Sequence, residues 1–89
     1  MVSVKRIVLD VLKPHSPSAL EFSTSIAEGA NDYHVHLTVI EMDENTETLQ
    51  NIIESEAIDL EAIQSAIDGM GGSLHSIDEV EVKNEADTD

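Results

Sequence analysis

Residues 33 to 54 read YHVHLTVIEMDENTETLQNIIE, and the architecture of the whole chain follows from them. Tyr33, Val35, Leu37 and Val39 alternate with His34, His36, Thr38 and Ile40, the period of two that belongs to a strand with one buried face. The polar, turn-prone Asp43-Glu44-Asn45-Thr46 comes next, and a second alternating run covers Glu47 to Glu54. Two strands joined by a short polar turn predict a β-hairpin.

On the N-terminal side, Gly29 and Asn31 close an amphipathic helix over residues 17 to 28. Ala19, Leu20, Phe22, Ile26 and Ala27 fall on its apolar side, opposite Glu21, Thr24, Ser25 and Glu28. Ser16 is the expected N-cap, with Pro17 at the first helical position. Before the helix, VKRIVLDVL (Val4 to Leu12) is rich in β-branched residues, with Ile7, Leu9 and Val11 on one face and Arg6, Val8 and Asp10 on the other. It predicts a central strand, ended by Pro14 and Pro17.

On the C-terminal side, Asp59 caps a second helix whose Leu60, Ile63, Ala66, Ile67 and Met70 form a stripe opposite Glu61, Ser65 and Asp68. Gly71-Gly72 stops it. A last strand runs from about Ser73 to Val82, and residues 83–89, KNEADTD, have the composition of an acidic, flexible tail.

The order β-α-β-β-α-β predicts an α+β fold, a ferredoxin-like βαββαβ two-layer sandwich occupying residues 1–82 as one domain. Its antiparallel sheet has the spatial order 4-1-3-2, with both helices on one face. Right-handed crossovers are expected to set strands one and three side by side and in parallel. The opposite sheet face is left uncovered, with Val8, Ile40, Ile52 and Leu74 expected to place apolar patches there.

The charge narrows the function classes. Nineteen acidic against four basic side chains give a formal charge of −15, spread along the chain rather than held in a tail. Such a surface repels phosphate backbones and anionic lipid, so neither nucleic acid nor a membrane surface is an expected partner. At molar salt the Debye length falls to about 3 Å and the mutual repulsion of the acids is screened. An acidic, lysine-poor globular chain therefore reads as haloadapted. With no cysteine there are no disulfides, thiolate metal sites or cysteine nucleophiles. Neither a signal peptide nor a membrane span is expected, and the simple location is the cytoplasm.

The stretches IVLDVLKPHSPS (residues 7 to 18), TVIEMDENTET (38 to 48) and GGSLHSIDEVEV (71 to 82) together resemble the archaeal domain-of-unknown-function family 211, collinearly from about residue 4 to 82. The resemblance implies a ferredoxin-like fold, an archaeal source, here a haloarchaeal member, and ring-like homo-oligomers. It implies no established activity. The sequence departs from the family pattern at Asn51, which stands in a row that is normally apolar, so either Asn51 finds a partner or the strand is locally irregular. Ser55 stands where a glycine is common, so the turn after this strand is expected to be built differently.

Few polar groups form constellations with chemical meaning. Asp10, near the end of the first strand, is expected beside the start of the last, around Leu74 to Ser76, with His75 as its neighbour. A carboxylate beside an imidazole orients a proton carrier or shares a divalent cation, with Glu41, Asp78 and Glu79 as further oxygen ligands. The plainer reading is a structural hydrogen bond or a subunit contact. Alternation places Ser76 and Asp78 on one face and His75, Ile77 and Glu79 on the other. His34 and His36 share a strand face and form an alternative metal site, suited to Zn or Ni if another chain adds ligands, and otherwise a solvated or interfacial pair. His15 reads as a loop residue. Asp43-Glu44-Asn45 lacks the spacing of an EF-hand, and Gly71-Gly72 follows a helix instead of preceding one, which excludes a phosphate loop.

The expected function is thus a non-enzymatic, self-assembling binding or regulatory module whose partner is a second copy of itself. The alternative is a divalent-metal-binding protein with its site at a sheet end or subunit interface. An enzyme is the remaining class, with no nucleophile–base pair or cofactor loop to recommend it. A divalent cation is the one cofactor these residues suggest, and no small-molecule ligand is identified.

Overall fold

The computed structural model describes residues 1–85, as six elements: β1 (Val2–Pro14), α1 (Ala19–Ala27), β2 (His34–Met42), β3 (Thr46–Glu54), α2 (Leu60–Gly69) and β4 (Ser73–Asn84). The sheet order is β2-β3-β1-β4, with every neighbouring pair antiparallel. This is the ferredoxin-like sandwich in the expected order. One detail differs: β1 and β3 run antiparallel, not parallel. The hairpin reverses the chain between two crossovers that each skip a neighbouring strand, so β3 returns opposite in sense to β1.

The side chains explain why the helices settle on one face. Register places Ile7, Leu9, Val11 and Lys13 of β1 across from Ile53, Asn51, Leu49 and Glu47 of β3. These rows meet Phe22 and Ile26 of α1 and Ile63 and Ile67 of α2, all buried, to make the single core. Fully burying each such aliphatic or aromatic side chain contributes roughly 1.5–3 kcal/mol.

Helix α1 starts two residues later than expected. Ser18, not Ser16, is the N-cap: its hydroxyl accepts from the Glu21 amide at 3.2 Å and lies 3.3 Å from Glu21 Oε1. The Ser-x-x-Glu spacing is that of a capping box, but the Glu21 carboxylate accepts from the Ser18 hydroxyl instead of from its amide. The helix buries only Phe22 and Ile26 and leaves Leu20, expected on the buried side, 76% exposed. Asp59 caps α2 as expected, accepting from the Ala62 amide at 3.1 Å. At its other end Gly71 takes φ +82°, and the Gly72 amide donates to the Ile67 carbonyl at 2.9 Å. A side chain at residue 71 would be strained in that left-handed conformation.

Strand β4 continues past Val82 to Asn84, pairing Val2 with Asn84, and the Glu85 amide donates to the Met1 carbonyl at 2.8 Å. Residues 83 and 84 of the expected tail are thus strand; residues 86–89 lie outside those described. β3 stops opposite Arg6 while β4 pairs as far as Val2, so the two ends of β1 and β4 project as a two-stranded ribbon. The long axis is 55 Å, against 22 and 17 Å.

Candidate functional site

The sheet face away from the helices is built by alternation from the rows left over by the core. Read across β2, β3, β1 and β4, it carries His34, Glu54, Arg6 and Glu81, then His36, Ile52, Val8 and Glu79, then Thr38, Gln50, Asp10 and Ser76. It is more polar than expected. Val8 is only 6% exposed, and beside it Arg6 holds Glu79 at 2.6 Å and Glu54 at 2.9 Å, stitching three strands together. Leu74 is not on this face: it lies opposite Val11 and packs against the core.

The register of β4 shifts between Val8 and Leu9 and again between Asp10 and Val11, leaving Asp78 and His75 without cross-strand partners. Each shift is a β-bulge, which restores the facing after an extra residue. Ile77 therefore lies opposite Leu9 on the helix side while Glu79 lies opposite Val8 on the open side, so these two do not share a face.

The candidate ligands are scattered by this geometry. Asp10 is paired with Ser76, whose hydroxyl donates to Asp78 Oδ1 at 2.7 Å, and no hydrogen bond joins Asp10 to His75. Glu41 lies two strands from Asp10, in the row of Thr48 and Leu12. His34 and His36 point to the open face on edge strand β2, opposite Glu54 and Ile52. Among the described residues, no group of three or more His, Cys, Asp or Glu converges where a metal ion would sit. A shallow groove of ≈ 360 Å³ between α1 and β2 is lined by Ala19, Leu20, Ser23, Val35, His36 and Leu37.

The densest polar cluster is elsewhere, at the end where β1, β3 and the β2–β3 turn meet. Lys13 is fully buried, and its ammonium donates to the carbonyls of Pro14 at 2.9 Å and Pro17 at 2.7 Å and to Glu47 Oε1 at 3.0 Å. All three of its protons are thereby used. The second oxygen of Glu47 meets His15 Nδ1 at 2.9 Å. The His15 hydrogen bond, followed by that from Lys13, holds the Glu47 carboxyl below its ordinary range against the opposing effect of burial. His15 lies in the loop between β1 and α1, as read from sequence, and joins Lys13 and Glu47 in a three-residue polar array. A signal was present: Lys13 and Glu47 continue the apolar rows 7-9-11 and 49-51-53, opposite charges at the ends of facing core rows.

Two departures from the family pattern resolve differently. The Ser55 turn is held by Asp32, which accepts from the Ser55 hydroxyl at 2.8 Å and the Glu56 amide at 2.9 Å. These bonds lower the Asp32 pKa, the Glu56 amide most. Asn51, by contrast, is regularly paired with Leu9 and Leu37, fully buried, and neither side-chain polar atom has a partner among the described residues.

Among the described residues, two sheet edges remain open. Strand β2 is bonded only to β3, and exposes Val39, Ile40 and Met42, with a bulge at Ile40. Strand β4 is bonded only to β1, and exposes Ile77, Val80 and Val82. No described helix is long and apolar enough to cross a membrane.

The model of the DUF211 family, described as uncharacterized ArCR, matches residues 5–86. Uncharacterized protein MJ0319 of Methanocaldococcus jannaschii is 41% identical over 80 residues, covering 90% of this chain and 82% of that one.

Proposed function

Since the chain belongs to the DUF211 family, whose activity is not established, we propose that it is a non-enzymatic, haloadapted module that assembles with copies of itself through its two sheet edges. The observation that carries this reading is the exposure of large apolar side chains on both open edge strands, with Ile40 59% and Val80 55% exposed. A monomer leaves those side chains and the unpaired strand edges in water, the arrangement that soluble chains usually blunt or cover. The edges differ in sequence, so a β2 edge meeting a β4 edge is a head-to-tail contact, and repetition with a closing rotation produces a ring. At −15 formal charge, association between copies requires the screening that molar salt supplies. The open face, covered in part by its own Arg6 bridges, is the less demanding surface.

Sedimentation velocity in molar KCl tests this. The wild-type chain is expected as an oligomer, and Val80→Lys and Ile40→Lys each as a monomer. Mixing those two variants is expected to yield a dimer, because one retains an intact β2 edge and the other an intact β4 edge. A wild-type monomer at micromolar concentration would overturn the reading, and a mixture that stays monomeric would overturn the head-to-tail contact.

A further inference from the structure

Both ring nitrogens of His15 face acceptors only. Nδ1 is 2.9 Å from Glu47 Oε2, and Nε2 is 3.0 Å from each of the carbonyl oxygens of Asp43 and Glu44. A neutral imidazole has one N–H and one lone pair, so either tautomer with an ionised Glu47 would turn a lone pair toward an oxygen. A protonated Glu47 would offer another solution, donating to Nδ1. Lys13, 3.0 Å from Glu47 Oε1 with no acceptor of its own, disfavours that form. The arrangement that satisfies every contact is an imidazolium between a carboxylate and two carbonyls.

We propose that His15 is a doubly protonated clasp holding the tip of the β2–β3 hairpin against the end of β1, and that loss of its ring proton in alkaline solution releases the tip. Beyond the pairing of Pro14 with Thr46, the ring bridges two segments far apart in sequence, Pro14–Pro17 and the turn at residues 43–45. Apart from it, the turn is closed by the Asp43 amide bonding to the Thr46 carbonyl at 2.8 Å. The His15 side chain is 42% exposed while that of Glu47 is 9% exposed, so the ring can exchange its proton with solvent while its counter-charge stays fixed.

The surrounding charges are acidic except for Lys13, whose ammonium opposes a second cation. Glu47 of β3 faces the ring directly, with Lys13 of β1 behind it. The turn contributes the exposed acids Asp43 and Glu44, and in the first turn of α1 Glu21 is bonded to Ser18. From the end of α2, Gly71 approaches Pro14 without bringing a charge. The Glu47 hydrogen bond first, then the Glu44 carbonyl, hold the His15 pKa above the ordinary value near 6.5, against a smaller effect of burial. A raised folded-state value means that the clasp is at full strength below about pH 6.5 and is lost as pH rises through the folded midpoint.

Long-range nitrogen–proton correlation spectra of the wild-type chain in molar KCl are expected to find both His15 nitrogens protonated at pH 7. Amide exchange at Asp43, corrected for intrinsic base catalysis, is expected to give an opening constant that rises at most tenfold per pH unit between about 6.5 and the His15 midpoint, then levels off. His15→Gln is expected to abolish that dependence. A singly protonated His15 ring at pH 7, or the same pH profile in His15→Gln as in the wild type, would overturn the proposal.

Discussion

Replacing Asn51 with leucine is expected to make this domain more stable. The two side chains have the same number of heavy atoms and the same branch at Cγ, so the substitution largely exchanges polarity for hydrophobicity. Asn51 is fully buried between Leu9 and Leu37, and both its Nδ2 and Oδ1 lack partners among the described residues. Leaving a neutral polar group buried and unpaired costs about 1–3 kcal/mol. Leucine also suits a buried strand position better than asparagine. Its bulkier methyl groups work against the gain through tighter packing, an effect of about 1–3 kcal/mol at worst. The two polar atoms together outweigh it, leaving a net stabilisation of about 1–3 kcal/mol. For a domain of this size each kcal/mol moves Tm by about 4–8 °C. Urea titration in molar KCl measures the change, with an unaltered slope verifying that the same surface is exposed on unfolding. Asn51→Asp provides the contrast, since it confines a carboxylate in the same apolar surroundings and is expected to destabilise. An Asn51→Leu variant less stable than the wild type would refute the reasoning, because it would mean that the amide is hydrogen-bonded in solution.

The buried ion pair behaves in the opposite sense. Lys13→Met leaves Glu47 Oε1 and two proline carbonyls without their donor, and a loss of about 3–5 kcal/mol is expected by urea titration, with part of it recovered in Lys13→Met/Glu47→Leu. A single variant as stable as the wild type would remove the pair from the stability argument. With 19 acids against four bases, the unfolding midpoint is expected to climb between about 0.1 M and 2 M KCl as repulsion is screened. A midpoint indifferent to KCl over that range would contradict haloadaptation.

The fold was legible because local signals agree with one another. Alternation along residues 33–54, the Asp59 cap and the Gly71-Gly72 stop each demand the element that the structure contains. The site was less legible, for specific reasons. In β4 the apolar residues Leu74, Ile77, Val80 and Val82 are spaced by three, three and two, the trace of two bulges that a strict period of two misassigns. Leu20 is apolar yet exposed because α1 begins at Ala19, capped by Ser18, and turns only Phe22 and Ile26 inward. His15 follows a proline and looks incidental in sequence, since its partners Glu47, Asp43 and Glu44 are about thirty residues away. Such contacts depend on the assembled sheet rather than on any local pattern.

Three of the four basic residues, Lys5, Arg6 and Lys13, lie on β1, and each is engaged with acids from other parts of the chain. The result is an uneven tolerance of mutation. An exposed acid is one of many, and its replacement removes a small share of the total repulsion. A cation on β1 is hard to replace: among the described residues Arg6 joins β3 to β4 across the open face, and Lys13 is the fully buried cation that meets Glu47. A chain evolving toward still greater acidity is therefore free to change almost anywhere except along its central strand, where three positive side chains set the lower limit on basic content.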